Sequence, residues 1–274
     1  MKRDHGDLLE IFFMVAYLVY IIKYYNIYIF IMKLLYYLPA FGKGNIDKKL
    51  IILMHNLQYL YDNTNESFDI CINFYTICED LKSKIRALPF INNLYVYEKE
   101  GVLTELFLTS PNNEYISSYD YMLFVLDDVQ LIDFDIKKMI EIKEKYNIEI
   151  LSPKIINSSH RFMNANTGLT INNFLEVYLL LLNPNDFARF CSIHTIQNKW
   201  MWGVDFLFGH YKIKTGVLNN CVANHVLSSE SNRREANRLM HEYFSNHVKK
   251  YSSLDDIRKD YPEIVEQIIT TDVI

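Results

Sequence analysis

Asp127 and Asp128 stand side by side at the end of an apolar run, Tyr119-Asp120-Tyr121-Met122-Leu123-Phe124-Val125-Leu126. Two adjacent carboxylates repel each other and need a cation or several donors to stay ionised together. A hard divalent cation carrying a diphosphate meets that need. One of the two could instead cap a following turn or helix, as aspartate often does. A second cluster, Asn198-Lys199-Trp200-Met201-Trp202-Gly203-Val204-Asp205-Phe206, holds both tryptophans of the chain. An indole can stack on a flat ligand face or pack a core. Asp205 can take a proton, or cap a helix beginning at about Phe206. His225 follows at a distance; a histidine on its own is more often structural than a ligand.

These side chains need a frame. The run before Asp127 is rich in aromatic and β-branched residues and reads as a buried strand. Upstream, residues 33–38 read as a first strand entering a loop, Pro39-Ala40-Phe41-Gly42. Asn45 is placed to cap a helix whose Ile46, Leu50, Met54, Leu57 and Tyr61 recur at helical spacing. A strand over 68–75, a helix over 79–87, a strand over 94–97 and a helix over 101–108 follow. This β/α alternation implies a Rossmann-like, mostly parallel sheet covered by helices, with right-handed crossovers. Such sheets bind ligands at the carboxyl ends of their strands. Pro39, Ala40 and Phe41 after the first strand, and Tyr75 and Thr76 after the second, are therefore expected beside the two acids. No G-x-G-x-x-G follows the first strand and no P-loop sequence occurs, which argues against dinucleotide and P-loop sites.

Beyond the acids, Asp135 can cap a helix over 136–146, and a short strand over 148–151 follows. Residues 173–182 read as a strand lying across the sheet, 185–193 as a helix and 214–220 as a strand and turn closed by 222–225. From about residue 229 the chain is polar and helical, with a helix start at Ser253 and a last helix carrying Pro262 in its first turn.

The chain has 274 residues, half of them hydrophobic, enough for one large domain with an appendage. A net charge of -5 argues against nucleic acid as a partner. Cys71, Cys78, Cys191 and Cys221 have no CxxC spacing and read as reduced thiols. Residues 8–31 are almost continuously apolar, about the length that spans a bilayer. Three readings stay open: an anchor giving membrane association, a helix packed on the domain, or an extension upstream of a start at Met32. The membrane-associated helix is the favoured one of the three, which divides the chain into an expected hydrophobic N-terminal helix over 1–31 and a main domain over 32–274, in a protein expected to be cytoplasmic or membrane-associated.

Four segments together resemble the nucleotide-sugar-dependent glycosyltransferases of the GT-A type. They are Leu126-Asp127-Asp128, similar to the acidic DxD motif; residues 147–153; Phe174-Leu175-Glu176-Val177; and Trp202-Gly203-Val204-Asp205-Phe206 with Gly216-Val217 and His225 downstream. The resemblance spans roughly residues 33–225. It implies a GT-A fold, a nucleoside-diphosphate sugar as donor and a glycan or glycoconjugate acceptor. It also implies Asp127 nearer the ribose, Asp128 and His225 on Mn2+ or Mg2+, Trp202 and Gly203 at the donor, and Asp205 as general base. Val129 stands where a further acid is usual. A non-catalytic nucleotide-sugar or glycan-binding relative is the alternative that this departure keeps open.

Overall fold

The structure, a computed structural model, describes residues 32–42, 44–75, 79–109, 113–158, 167–227 and 233–270. The fold is that of the unit Lys33–Ile274. The N-terminal helix expected over 1–31, its membrane association through 8–31, and Thr76 lie outside the described residues. Among the described residues no helix is long and apolar enough to cross a membrane.

The first half of the chain alternates as its apolar runs suggest. β1 (Leu34–Phe41), α1 (Ile46–Thr64), β2 (Phe68–Phe74), α2 (Glu79–Arg86), β3 (Ile91–Glu98), α3 (Leu103–Thr109), α4 (Asn113–Ile116) and β4 (Tyr121–Val125) follow in order. β1 pairs in parallel with both β2 and β4, and β2 with β3. Every residue of β1 is buried, as expected for a central strand covered on both faces. Tyr37, Phe107, Phe124, Phe187 and Phe190 fill the space beneath, with ring centroids 5.7–5.9 Å apart between Phe107 and Phe190, Tyr37 and Phe124, and Tyr37 and Phe187. Each such side chain contributes roughly 1.5–3 kcal/mol by leaving water.

After β4 the pattern changes. β5 (Val129–Asp133) starts at once, followed by α5 (Ile136–Lys145), β6 (Ile150–Ile156), β7 (Leu169–Asn172), β8 (Leu179–Leu182), α6 (Pro184–Ser192) and β9 (Thr215–His225). The C-terminal segment holds α7 (Arg233–Tyr243), a π-helical turn (Phe244–Val248), α8 (Leu254–Asp260) and β10 (Ile264–Ile268). The ten strands form one sheet in the order β10-β7-β9-β6-β8-β4-β1-β2-β3, with β5 paired to β9 off that path. In this second half β6 and β9 run parallel. The pairs β4–β8, β6–β8, β7–β9, β7–β10 and β5–β9 are antiparallel.

The sheet is therefore mixed rather than mostly parallel. The strand expected over 173–182 shrinks to β8, because 173–178 form a bend. The helix expected after Pro262 is instead strand β10. Its Ile264-Val265-Glu266-Gln267-Ile268 is rich in β-branched residues and completes a ladder on β7. Two caps hold as expected: Asp135 accepts from the Lys138 N–H, and Ser253 from the Asp256 N–H. Asn45 does not cap α1 with its side chain; its backbone is left-handed at φ 48°.

α1 also buries a different face from the one expected. Of the five residues in the expected stripe only Leu57 is fully buried, and Ile46 is exposed. The buried face is Lys49, Ile52, Leu53, Asn56, Leu57, Leu60 and Thr64. That is a rotation of one residue, about 100°. It brings two polar side chains, Lys49 and Asn56, under the sheet edge that carries the acids.

Candidate functional site

The acids occupy the turn between β4 and β5. Asp127 Oδ2 accepts from the Gly42 N–H at 3.1 Å, just past the end of β1. It also meets Lys49 Nζ at 3.0 Å, with side chains only 12% and 11% exposed. Burial pushes the Asp127 carboxyl up to about 6. Lys49 opposes this and the Asp128 charge adds to it. Tyr75, at the end of β2, is pushed up to about 12 by burial and by the same carboxylate.

Asp128 faces the other half of the sheet. Its Oδ2 lies 3.1 Å from His225 Nε2 at the end of β9. The backbones agree: Val129 pairs with His225, and the Val226 N–H donates to the Asp128 carbonyl at 2.9 Å. Burial alone would lower the His225 imidazole, but the Asp128 carboxylate, the Asn157 backbone and the Glu176 charge outweigh it, so the net shift is upward. The second oxygen of Asp128, Oδ1, is buried and accepts no hydrogen bond among the described residues. A buried carboxylate oxygen without a donor is costly in a protein interior.

α1 holds this turn from below. Asn56 Nδ2 donates to the Val129 carbonyl at 2.7 Å, and its Oδ1 accepts from the Leu131 N–H at 2.9 Å. A single buried amide thus completes the ladder edge of β5 next to the acids. His55 Nε2 lies 2.9 Å from the Leu131 carbonyl.

Asp205 sits in a 3-10 turn, Val204–Phe206, so Gly203 takes the cap position and Asp205 is not a cap. Gly203 is required twice over. Its φ is +83°, and a Cβ there would come within 2.5 Å of Met240 Cγ and 2.8 Å of Phe244 Cζ. The Leu175 N–H donates to the Asp205 carbonyl at 3.1 Å, tying this turn to the bend before β8. Asn198 Nδ2 donates to the Trp202 carbonyl at 3.0 Å.

Asp127, Asp128, Lys49, Tyr75, His225, Gly203 and Asp205 open on one cleft of about 1210 Å³. Among the expected residues, Ala40, Tyr75, Asp127, Asp128, Trp202, Gly203, Asp205 and His225 line it. Trp200 lines it too, so neither indole is a wholly buried core residue. Pro39 and Phe41 do not line it. Both are buried in β1, and Phe41 packs on Phe74 at 5.6 Å, so of that loop only Ala40 faces the cleft. The cleft adds residues that the sequence reading gave no role: Lys49, Asn157, Glu176, Tyr178, Arg233 and Asn237. Glu176 carried a signal, being an acid inside the apolar run 174–182, and it is 5% exposed. Lys49 was hidden by the rotated face of α1.

No protein-family model matches the sequence. No curated protein matches it either. Solved structures do. S. aureus TarS 1-349 in complex with UDP-GlcNAc aligns over 82% of this chain and 70% of its own, at 13% identity and TM-score 0.52. GalNAc-T7 with UDP, GalNAc and Mn2+ aligns over 84% of this chain and 55% of its own, at 8% identity and TM-score 0.53. This is the GT-A fold. The chain spans 45% of the longer S. aureus TarS structure, at TM-score 0.50. In the GT-A sheet of this chain, the carboxyl ends of β1, β2, β4 and β9 all bring residues to the cleft. Among the described residues no group of three or more His, Cys, Asp or Glu side chains is arranged to hold a metal ion.

Proposed function

We propose that this protein is a glycosyltransferase that moves a sugar from a nucleoside-diphosphate donor to a hydroxyl of a glycan or glycoconjugate acceptor, with 32–274 as its catalytic domain. The observation that carries this reading is the convergence of Asp127, Asp128, His225 and Asp205 on one cleft of a GT-A fold. The ligands named in the neighbours' structures, UDP-GlcNAc in one and UDP, GalNAc and Mn2+ in another, support the donor class and a divalent cation.

Ala40, Tyr75 and Asp127 bind the nucleoside side of the donor, with Asp127 nearer the ribose. Asp128 and His225 would hold Mn2+ or Mg2+. The fit rests on the buried, unpartnered Oδ1 of Asp128 beside an imidazole, an oxygen and nitrogen donor pair of the kind such cations accept. Two protein ligands are few, but Mg2+ sites of this type take their remaining ligands from substrate phosphates and water. When bound, the cation offsets the charge that develops on the departing diphosphate.

Asp205 accepts the proton of the acceptor hydroxyl as that oxygen attacks the anomeric carbon. The bond from this carbon to the diphosphate oxygen breaks, and configuration inverts. The sugar passes through an oxocarbenium-like state, as in glycoside hydrolysis. Trp202 offers an apolar face to the sugar, and Gly203 sets the turn that presents Asp205.

One observation favours the binding-only alternative. Val129 stands where a further acid is usual, and with Asp127 paired to Lys49 the turn offers a cation fewer free carboxylates than that pattern does. Incubation of the full chain with a panel of nucleotide-sugars and Mn2+ separates the two readings. Release of free nucleoside diphosphate is the expected result. Thermal stabilisation by a donor without any release across donors and acceptors would favour the binding-only relative, and neither effect would sink both.

A further inference from the structure

The tryptophan segment is tied to α3, a helix on the link between β3 and β4. Thr104, in the first turn of α3, is fully buried, and its Oγ1 donates to the Asn198 carbonyl at 2.6 Å. The Thr104 N–H donates to the next carbonyl, that of Lys199, at 3.3 Å. An N–H in the first turn of a helix has no partner within that helix. Here its partner comes from a segment distant in sequence.

Asn198 extends the tie. It is 1% exposed, and its Nδ2 donates to the Trp202 carbonyl at 3.0 Å. A flipped amide would set Oδ1 against that carbonyl, so the partner fixes the orientation. The Asn198 carbonyl also accepts from the Met201 N–H at 3.1 Å. Between these anchors the backbone takes an uncommon course, with Met201 left-handed at φ 60° and Gly203 at φ 83°. A non-glycine residue held there is strained and persists only where its surroundings over-determine it. The bonds of Thr104 and Asn198 supply that constraint. The Val204 N–H then donates to the Met201 carbonyl at 3.1 Å, so the course of 198–202 sets where the turn Val204–Phe206 begins.

We infer that Thr104 and Asn198 are positioning residues for glycosyl transfer. Neither lines the cleft; they act through Trp202 and the turn that carries Asp205, which do. This rests on the reading of Trp202 as the sugar contact and Asp205 as the base. The two bonds join the parallel half of the sheet, where the nucleoside binds, to the turn that presents the base.

The chain holds two tryptophans, Trp200 and Trp202, so its indole fluorescence reports this segment alone. Thr104→Val, Asn198→Leu, their double variant and Thr104→Ser, all in the full chain, test the inference. The readouts are acrylamide quenching of the indoles, UDP affinity with Mn2+, and release of nucleoside diphosphate from the nucleotide-sugar that the wild type turns over fastest. In Thr104→Val a methyl cannot approach the Asn198 carbonyl as closely as the hydroxyl does, while that carbonyl keeps the Met201 N–H, so the segment shifts without losing every bond. Thr104→Val and Asn198→Leu should each alter the quenching and lower kcat/KM roughly tenfold or more. UDP, which carries no sugar, should bind as in the wild type. The double variant should lose less than the product of the two, because both loosen one segment. Thr104→Ser keeps the hydroxyl and should restore quenching and turnover. Wild-type turnover and quenching in both single variants, with stability to denaturant alone reduced, would overturn the inference, as would an equal loss in Thr104→Ser. A wild type that releases no nucleoside diphosphate from any donor would bring down the glycosyltransferase reading itself, and the positioning role with it.

Discussion

The two halves of the sheet contribute to the cleft by different means. The parallel half, β3-β2-β1-β4, brings strand ends: Ala40 from β1, Tyr75 past β2, and the acids past β4. Its contacts are fixed by backbone, as in the Gly42 N–H to Asp127 bond. The mixed half brings side chains from bends and a long strand: Glu176 before β8, Asp205 in a 3-10 turn, and His225 at the end of β9. A regular parallel half makes a shelf, and an irregular half aims reactive groups at it. Asp127 and Asp128 mark the seam, with Asp127 turned toward Lys49 in the first half and Asp128 toward His225 in the second.

The largest expected effect lies on the irregular side. Asp205→Asn is close in shape to the native residue and removes the proposed base. Transfer should fall by about 10²–10⁴-fold while donor affinity stays near that of the wild type. Full residual transfer would remove Asp205 from the chemistry and leave that half with a binding role only.

The second effect lies under the regular side. His194 follows α6 and packs on Phe107 and Phe190 at 4.9 and 4.5 Å. Burial holds its imidazole down at about 4, against an ordinary value of 6.5, with the Phe190 carbonyl pulling partly the other way. As pH falls the unfolded chain takes this proton first. The stabilising contribution is therefore complete above pH 6.5 and lost toward pH 4, by about 3 kcal/mol. Melting curves across that window should steepen this loss in the wild type relative to His194→Gln. Parallel pH profiles for the two proteins would show that this side chain is not protected as described.

The third effect is at the seam. Asn56→Ala leaves the Val129 carbonyl and the Leu131 N–H without their buried partner, at a cost of about 1–3 kcal/mol. Chemical denaturation should show that loss. Mn2+-dependent binding of UDP should also weaken well below the melting point, because the acid turn loses its tether. A stability loss with unaltered binding would mean that α1 supports the fold without setting the acids.

The same contrast explains what could be read in advance. The parallel half was legible because apolar strand runs and helical runs alternate in it. The other half was not. β5 begins directly after Asp128 with no glycine or proline to mark a turn. β8 is four leucines whose direction no pattern reveals. β10 follows a proline that could as well have opened a helix. Within the cleft, Asp127, Asp128, Asp205 and His225 stood out by type and order, through the resemblance they carry. Lys49 and Asn56 did not. α1 is apolar on several faces, so the stripe chosen by spacing was one residue off the face that tertiary packing buries.

The central claim is that the two halves meet on a single cation-diphosphate ligand, through Asp128 from one and His225 from the other. A double-mutant cycle measures this directly: Mn2+-dependent UDP affinity for the wild type, Asp128→Ala, His225→Ala and the double variant. Groups that hold the same ion should be strongly non-additive, with the second substitution costing little once the first is made. Two losses that simply add, or Mn2+ dependence that survives in the double variant, would contradict the account.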